Sequence, residues 1–558
     1  MPNIADLFLQ HLAQPGLVLY RHCPDAVWRD VTAGELALDI VRWQAAFRRA
    51  GIVPGDRVVL CARNSPAWVA VDLAALGLAL VVVPLYVDDN AENVAWCAAN
   101  AEAKLLVVEN VRLARGLRKA GVLPPVVVLR VSGAPDEALT ADDGVVAVDD
   151  FLPAAVTEIE VAALPENTLA TICYTSGTAG RPKGVMLSHG NILANVAGCR
   201  ATGMARSTDR FLSMLPLSHM FERTGGYYLP LSLGATVVYA RGIAQIADDL
   251  AAQAPTVVFA VPRIFERFAS RIESALAESK LKRMLFDACV KSGYRVARGN
   301  ASPLDRAVVK VLRPLVATPI LAKMGGRLRL AVVGGAALDP ALAQTFIGLG
   351  LPLLQGYGLT EASPVISVNR DDDNDPESVG APLPGLEVKL VAGGELAVRG
   401  PSVMLGYWRN DEATRASIDA DGFLHTGDVA ELKDGKIYIR GRAKDILVLS
   451  NGEKLPPQDV ELALVRDPVF EQVMLIGEGR PFPILLAVTK ETDEKALVKR
   501  ANDQLTAFPR WMRVRRVVAM REPWDIDSGL LTPTLKLRRP LVAKRFADRI
   551  DAAYAEAG

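Results

Sequence analysis

The chain has 558 residues, half of them hydrophobic, and its 63 Lys and Arg residues balance its 63 Asp and Glu residues to a formal net charge of zero. This composition excludes an intrinsically disordered chain and a nucleic-acid-binding protein held by bulk charge, and it predicts a large buried core. At about 150 residues per domain, the length allows three or four domains or subdomains.

The N-terminal region and the cysteines indicate a cytoplasmic protein. The first residues lack a basic segment and reach Asp6 before any long apolar run, so no secretory signal peptide is expected. The six cysteines are scattered without CxxC spacing, which is typical of reduced thiols and not of a disulfide framework or a zinc site.

Short runs rich in Val, Leu and Ile alternate with helical periodicities over the first 335 residues. Continuous apolar runs separated by helices are typical of parallel strands covered on both faces, so the sequence predicts an α/β fold. The longest apolar run, residues 73–87, is shorter than the roughly 20 residues of a membrane-spanning helix, and we predict a core helix followed by a buried strand. The predicted strands are VVLCA (58–62), LVVVPLY (80–86), LLVVE (105–109), VVVLRV (126–131), LATICYTS (169–176), ATVVYA (235–240), TVVFAV (256–261) and LRLAVVGG (328–335).

A basic stretch departs from the even charge balance. Between Ser279 and Arg329 there are 12 Lys and Arg residues and two acidic ones, with Leu, Val and Met between them. Two interpretations remain open: a solvated helical face, or a surface that binds anionic lipid or other phosphate groups.

After Val379 the predicted strands become short and are separated by turns, as in LEVKLVAGGELAVRG (386–400) and IYIRGR (437–442). This pattern predicts a small antiparallel barrel or sheet. A final αβ segment begins near Asp445.

The segment YTSGTAGRPKG, residues 174–184, follows a predicted buried strand and precedes a helix-like segment that begins at His189. Its hydroxyls and glycines, together with the cation of Lys183, predict a loop that binds phosphate. It departs from the GxxxxGK[ST] pattern of P-loop NTPases, because Pro182 precedes the lysine and Gly184 follows it.

Two further segments carry residues suited to a nucleotide. In QGYGLTE (355–361), Tyr357 offers a face for stacking a base, Thr360 a hydroxyl for a phosphate, and Glu361 a carboxylate for Mg²⁺. Asp428 can accept both hydroxyls of a ribose, and Arg442 can add charge-assisted hydrogen bonds to the same nucleotide.

Together with LTPTLKLRRP (531–540), these segments resemble the adenylate-forming superfamily of acyl-CoA synthetases, nonribosomal adenylation domains and beetle luciferases. Within it, PLSHMFER (216–223), PTVVFAVPRIFER (255–267) and the C-terminal segment are similar to the long-chain fatty acyl-CoA synthetases. The resemblance implies an enzyme that makes acyl-AMP and pyrophosphate from a fatty acid and MgATP, and then transfers the acyl group to coenzyme A.

Position by position, the resemblance implies a role for each matching residue. Lys536 would bridge the substrate carboxylate and the α-phosphate as charge develops in the transition state, and His219 would lie at the acyl pocket. The other implied roles are Thr175, Ser176, Gly177, Thr178 and Lys183 at the ATP phosphates, Thr178 and Glu361 at Mg²⁺, Gly335, Ala336 and Tyr357 around the adenine, Thr360 at the α-phosphate, and Asp428 and Arg442 at the ribose.

The resemblance also implies two domains. Residues 1–443 would form the N-terminal adenylation domain, with α/β subdomains and a small β-barrel, and residues 444–558 a mobile α+β C-terminal domain. Lys444 would be the hinge, and Gly452 would lie on the loop that lines the pantetheine tunnel.

The residue after Tyr357 would border the acyl channel. Because Gly358 has no side chain to block that channel, we expect room for a long chain. The alternative is that Gly358 serves only the backbone, through a positive φ angle.

Two other functions stay open: a fatty acyl-AMP ligase that loads a carrier protein, and a non-catalytic acyl or nucleotide sensor. The sequence also leaves open the preferred chain length, the oligomeric state, a homodimer included, and peripheral association with the inner face of a membrane.

Overall fold

The structure is a computed structural model that describes residues 3–121, 124–129, 144–154, 158–175, 181–277, 279–443, 446–525, 528–531 and 537–555. Its strands, in chain order, are β1 (Val18–His22), β2 (Arg29–Thr32), β3 (Arg57–Cys61), β4 (Val81–Pro84), β5 (Ala103–Val108), β6 (Val126–Val128), β7 (Val145–Ala147), β8 (Leu169–Thr175), β9 (Lys183–Ser188), β10 (Arg210–Ser213), β11 (Thr236–Tyr239), β12 (Val257–Ala260), β13 (Leu330–Val333), β14 (Leu353–Gly358), β15 (Val365–Val368), β16 (Ala381–Pro382), β17 (Glu387–Leu390), β18 (Glu395–Arg399), β19 (Gly406–Tyr407), β20 (Leu424–Lys433), β21 (Lys436–Arg442), β22 (Leu447–Val448), β23 (Lys454–Leu455), β24 (Gln472–Ile476), β25 (Ile484–Val488) and β26 (Val517–Met520).

The helices alternate with these strands. They are α1 (Asp6–Leu9), α2 (Ala33–Arg49), α3 (Pro66–Gly77), α4 (Ala91–Asn100), α5 (Val111–Ala120), α6 (Val148–Phe151), α7 (His189–Ala201), α8 (Met220–Glu222), α9 (Leu229–Leu233), α10 (Ile246–Gln253), α11 (Pro262–Leu276), α12 (Lys280–Ala297), α13 (Pro303–Leu312), α14 (Thr318–Ala322), α15 (Pro340–Leu349), α16 (Asp411–Ser417), α17 (Pro457–Leu464), α18 (Glu494–Gln504), α19 (Arg539–Arg545) and α20 (Ala547–Ala555). Short π-helical segments occupy Arg223–Tyr228 and Arg313–Ala317.

Two large, mainly parallel sheets confirm the predicted α/β fold. The first has the strand order β16-β15-β14-β13-β12-β10-β11-β1-β2, and the second the order β19-β9-β8-β4-β3-β5-β6-β7. Their central strands pair in parallel, and antiparallel pairs occur towards the edges. All eight Val/Leu/Ile-rich runs form strands of these two sheets.

Helix α3 and strand β4 confirm the prediction for the longest apolar run. The side chain of Ser65 caps α3 by accepting a hydrogen bond from the Trp68 N–H, and Pro66 occupies the first turn, where its missing N–H is not needed. All of β4 is buried, as is all of α3 except the half-buried Ala67. Within the described parts of the chain, no helix is both long and apolar enough to span a membrane.

The C-terminal third contains smaller sheets, as the turn-rich pattern predicts. Strands β17, β18, β20 and β21 form an antiparallel sheet in that order, a half-barrel that packs on the first large core. Beyond it, β24, β25 and β26 form a mixed sheet packed against α17–α20, so the end of the chain is α+β.

Candidate active site

Three adjacent parallel strands end at a large cleft. Strands β12, β13 and β14 lie side by side, so their carboxyl ends meet at one sheet edge, which is where open α/β sheets bind ligands. The cleft has a volume of about 3250 Å³ and is lined both by residues up to 442 and by residues from 447 onwards. The predicted site residues that line it are His219, Gly335, Ala336, Tyr357, Gly358, Asp428 and Arg442.

The turn after β13 brings Gly335 and Ala336 to the cleft wall. The Gly334 N–H donates to the Ala260 carbonyl (3.1 Å), which ties this turn to β12. Gly335 has a φ angle of +80°, a left-handed conformation that glycine adopts without strain. A β-carbon added there would have only Val261 within 4 Å, at 3.8 Å, so the turn leaves space for a flat ring beside its backbone.

Asp428 joins the residues predicted to hold the adenosine. Its Oδ2 accepts a hydrogen bond from the Tyr357 hydroxyl (2.6 Å), and its Oδ1 accepts one from Nε of Arg442 (3.2 Å). Asp428 and Arg442 are cross-strand neighbours on β20 and β21. Burial and the Asp428 carboxylate raise the pKa of Tyr357, so the phenol remains a donor at neutral pH. A carboxylate has about four lone-pair sites, and Asp428 can therefore also accept hydrogen bonds from a ribose.

The predicted phosphate loop connects two antiparallel strands. Thr175 ends β8, Lys183 begins β9, and the two residues are cross-strand partners. Strand β9 was not predicted: it separates the loop from α7, so the arrangement differs from the strand-to-helix turn of a P-loop. Ser176, Gly177 and Thr178 lie outside the described residues.

Tyr407, which the sequence analysis missed, connects Lys183 to Glu361. The Nζ of Lys183 lies 5.0 Å from the centre of the Tyr407 ring, within the range of a cation–π contact. The hydroxyl of the same tyrosine donates to Oε1 of Glu361 (2.8 Å). Burial and the Glu361 carboxylate raise the pKa of Tyr407, so this hydroxyl stays protonated. Glu361 follows Thr360 in a short 3₁₀ turn, so the phosphate-loop lysine, the carboxylate and the threonine are brought together.

The surroundings of Glu361 fit a cation held mainly by nucleotide phosphates. Mg²⁺ bound to a nucleotide usually takes only one or two protein carboxylates and completes its shell with phosphate and water oxygens. Within the described ranges, no group of three or more His, Cys, Asp and Glu side chains is placed to hold a metal. The role of Glu361 as a Mg²⁺ ligand, together with the substrate's own oxygens, stays a prediction.

His219 lies on the cleft wall and caps a short helix. Its Nδ1 accepts a hydrogen bond from the Phe221 N–H (3.2 Å) at the start of α8. Phe221 also lines the cleft, and its ring packs edge-on against Phe259 at 5.7 Å. An aromatic wall therefore stands beside the histidine.

A buried ion pair four residues after His219 anchors this segment, and a second charged residue, Glu222, is buried beside it. The Arg223 N–H donates to the His219 carbonyl (3.0 Å), and the Arg223 guanidinium pairs with Asp72 of α3. The Tyr228 hydroxyl donates to the same carboxylate (2.9 Å). Glu222 is fully buried, and burial raises its pKa to about 8. Asp72 and Arg223 are 151 positions apart, so no local pattern could have indicated this pair.

The structure corrects both interpretations of Gly358. A β-carbon at this position would lie 1.9 Å from the carbonyl oxygen of Pro364, so the missing side chain would point at backbone and not into a channel. The φ angle of Gly358 is also outside the left-handed region. Glycine is required here because β14 and the chain around Pro364 approach closely, and neither an open channel nor a positive φ angle explains it. An acyl channel past this residue stays a prediction.

The C-terminal candidates are only partly described. Gly452 lies in the turn between β22 and β23 with a φ angle of +84°. Lys444 and Lys536 lie outside the described residues. Leu531 and Leu537, which flank the segment of Lys536, form an isolated antiparallel bridge and line the cleft.

One ion pair crosses the cleft. Arg466, from the C-terminal segment, contacts both carboxylate oxygens of Asp339 through Nε and Nη2, each at 2.8 Å. Asp339 caps α15 and follows the turn of Gly335 and Ala336. The pair therefore joins the two sides of the cleft next to the predicted adenine wall.

Comparisons with known proteins give a consistent picture. Residues 14–408 match the family of AMP-binding enzymes, and residues 444–558 match the C-terminal domain of AMP-binding enzymes. The long-chain-fatty-acid–CoA ligase FadD15 of Mycobacterium bovis is 32% identical, covering 99% of this chain and 97% of that protein. Long chain acyl-CoA synthetase 7 of Arabidopsis thaliana is 31% identical, covering 94% of this chain and 82% of that protein. The crystal structure of the anthranilate CoA ligase AuaEII with anthranoyl-AMP superposes with a TM-score of 0.76 at 22% identity, covering 100% of this chain and 98% of that one.

The chain belongs to the family of AMP-binding enzymes, within the adenylate-forming superfamily that its motifs resemble.

Proposed function

We propose that this AMP-binding enzyme is a long-chain fatty acid–CoA ligase. In the first half-reaction, a carboxylate oxygen of the fatty acid attacks the α-phosphorus of ATP, and pyrophosphate leaves. In the second, the thiolate of CoA attacks the acyl carbon, and AMP leaves. The observation that supports this best is the Tyr357–Asp428–Arg442 cluster at the sheet edge. It occurs in a chain that is similar over nearly its full length to proteins named long-chain-fatty-acid–CoA ligases.

The nucleotide would lie along the ends of β13 and β14. Its base would fit between the turn of Gly335 and Ala336 and the ring of Tyr357, whose orientation the hydrogen bond to Asp428 fixes. Asp428 and Arg442 would hold the ribose. The phosphates would then extend towards the β8–β9 connection.

The phosphate end would be held by the loop residues Thr175, Ser176, Gly177 and Thr178 together with Lys183, and Thr360 would contact the α-phosphate. Mg²⁺, held by Glu361 and Thr178, would neutralise charge on the phosphates. Lys536 would stabilise the charge that develops between the carboxylate and the α-phosphate.

The same proposal assigns roles to the two domains and to the residue at the entry of the acyl chain. Residues 1–443 and 444–558 would act as two domains, with Lys444 as hinge, and the C-terminal domain would turn so that the Gly452 loop replaces Lys536 at the cleft. His219 would border the entry of the acyl chain. Because long-chain acids partition into bilayers, peripheral membrane association also fits this substrate.

The first test is ATP–pyrophosphate exchange over a series of acid chain lengths, followed by thioester formation with CoA or with a carrier protein. We expect exchange that depends on long acids, and thioester formed with CoA. Exchange with thioester formed only on the carrier protein would identify an acyl-AMP ligase. Absence of acid-dependent exchange would refute the proposal.

The second test separates the half-reactions. Lys536→Ala should lower exchange by about 10²-fold or more, the effect of removing one donor to developing charge. Thioester formation from supplied acyl-AMP should remain. Lys544→Ala, at an exposed lysine of α19, is the control and should leave both steps unchanged. Equal losses in both half-reactions of Lys536→Ala would contradict the assigned role.

A further inference from the structure

Exposed apolar side chains are concentrated on one helical hairpin. Helices α12 and α13 pack against each other, and the π-helical segment Arg313–Ala317 continues α13. Among the described residues, the two most exposed large hydrophobic side chains are Leu304 (73%) and Leu315 (70%). Met284 of α12 and Val311 of α13 are also exposed, by 60% and 61%. We call residues 280–315 the basic hairpin.

The apolar residues of the basic hairpin lie on its outer side. Leu304, Val311 and Leu315 are spaced by seven and four positions, the spacing of residues on one helical face. The neighbouring side of α13, about 100° around the helix, is buried through Asp305 and Leu312. Helix α13 therefore buries one apolar side against the core and carries a second apolar stripe that faces solvent.

The exposed face of α12 carries positive charge beside an apolar side chain. Lys280, Met284 and Lys291 follow the spacing of one face, and Phe286 and Cys289 bury the other. A shallow groove beside α12 is lined by Lys280, Met284 and Lys291. The lysines Lys280 and Lys291 therefore lie beside the exposed side chain of Met284.

The charges of this surface are strongly one-sided. The basic hairpin contains nine Lys and Arg residues and two acidic ones, an excess of seven positive charges in a chain that is neutral overall. Arg295 pairs with Asp305, one of the two acids. For Lys280, Lys291 and Lys310, the described part of the chain offers no carboxylate within 4.0 Å. This surface is complementary to a negatively charged partner.

We propose that the outer face of the basic hairpin docks on an anionic phospholipid bilayer. Leu304, Val311 and Leu315 enter the boundary between headgroups and acyl chains, and the lysines bind headgroup phosphates. Interfacial helices bind membranes through this combination of buried apolar area and attraction to anionic lipids. An acidic protein would also match the charge, but in that case the enzyme would not bind vesicles that contain lipid alone. This inference rests on the proposed function only because it locates the membrane association proposed there. Vesicle binding is measured without measuring enzyme activity.

The test is co-sedimentation of the full-length protein with phosphatidylcholine vesicles, with and without phosphatidylglycerol. We expect binding that requires phosphatidylglycerol and decreases with salt. Reversing Lys280, Lys291 and Lys310 to Glu should weaken it by about 100-fold or more, since each basic residue near an anionic surface contributes about a factor of five to ten. The matched control reverses Lys433, Lys495 and Lys499, which are exposed elsewhere, and should bind as the parent does.

A second variant measures how much the apolar side chains contribute to vesicle binding. Changing Leu304, Val311 and Leu315 to Ser should weaken vesicle binding and leave its salt dependence as it is. The control Leu38→Ser, at an exposed leucine of α2, should bind vesicles as the parent does. Parent-like binding by both hairpin variants, or no binding by the parent, would overturn the proposal. ATP–pyrophosphate exchange with a soluble medium-chain acid, measured on the same variants, should be unchanged. A parent that binds vesicles but shows no exchange would refute the proposed function and leave the docking surface intact.

Discussion

Replacing Tyr407 with Phe tests the connection between the phosphate loop and Glu361. The change removes the hydroxyl that donates to Oε1 of Glu361 (2.8 Å) but keeps the ring beside Lys183. A hydrogen bond to a charged group contributes about 1.5–3 kcal/mol. Since about 1.4 kcal/mol corresponds to a factor of ten, kcat/KM for ATP–pyrophosphate exchange should fall by roughly 10- to 100-fold.

The loss should depend on Mg²⁺ concentration. Without its hydrogen bond, the Glu361 carboxylate is free to rotate, so the proposed metal site is less well ordered and a higher concentration of Mg²⁺ should restore part of the activity. Exchange is therefore measured across a Mg²⁺ titration at saturating ATP and acid. Tyr407→Ala, which also removes the ring beside Lys183, should lose more activity and recover less.

Tyr438 supplies a matched control. Its hydroxyl also donates to a carboxylate, that of Asp375 (2.9 Å), and neither residue lines the cleft. Tyr438→Phe therefore removes the same kind of hydrogen bond and should leave exchange and its Mg²⁺ dependence unchanged. If Tyr407→Phe behaves like Tyr438→Phe, Tyr407 does not position a catalytic carboxylate and the reasoning is refuted.

Three other changes test separate features. Gly358→Ala forces a β-carbon against a backbone carbonyl, so it should destabilise the protein by about 1–3 kcal/mol in urea unfolding; unchanged stability would contradict the close approach. Glu222 has a folded pKa of about 8, above its unfolded value, so its contribution to stability is lost as pH rises from about 4.5 to 8. Glu222→Gln should therefore gain stability relative to the parent over that range, by up to about 5 kcal/mol in urea unfolding, and a difference independent of pH would count against the assignment. Arg466→Ala removes the pair with Asp339 across the cleft and should change the ratio of the two half-reaction rates by less than about tenfold, since exposed ion pairs contribute at most about 1 kcal/mol. Arg500→Ala, which breaks the Arg500–Asp467 pair within the C-terminal segment, should not change that ratio.

Local sequence patterns were sufficient for much of the fold. The apolar runs became strands and the run at 73–87 became α3 and β4, because a buried parallel sheet accepts apolar side chains on both faces. Strand β9 was missed because the six residues from Lys183 to Ser188 lie between a phosphate-loop motif and a helix, and their strand character comes from pairing with β8 and β19.

The candidate site was predictable only as a set of separate segments. Tyr357 and Asp428 were both predicted near the nucleotide, but the hydrogen bond between them joins residues 71 positions apart. Tyr407 was missed altogether, since it lies 46 positions from Glu361 in a segment with no motif that was recognised. Distant segments such as these meet only when the order and register of the strands are known.

By itself, the sequence determined the α/β class, eight strands of the two large sheets and the segments that carry the chemistry, because these depend on periodicity and on residue types close together in the chain. Only the tertiary structure decided which residues touch: the direction in which Gly358 would point a side chain, the Arg223–Asp72 anchor behind His219, and the exposure of Leu304 and Leu315. The physical reason is that a side chain's surroundings are set by neighbouring strands and helices from distant parts of the chain, and a local pattern does not specify which neighbours those are.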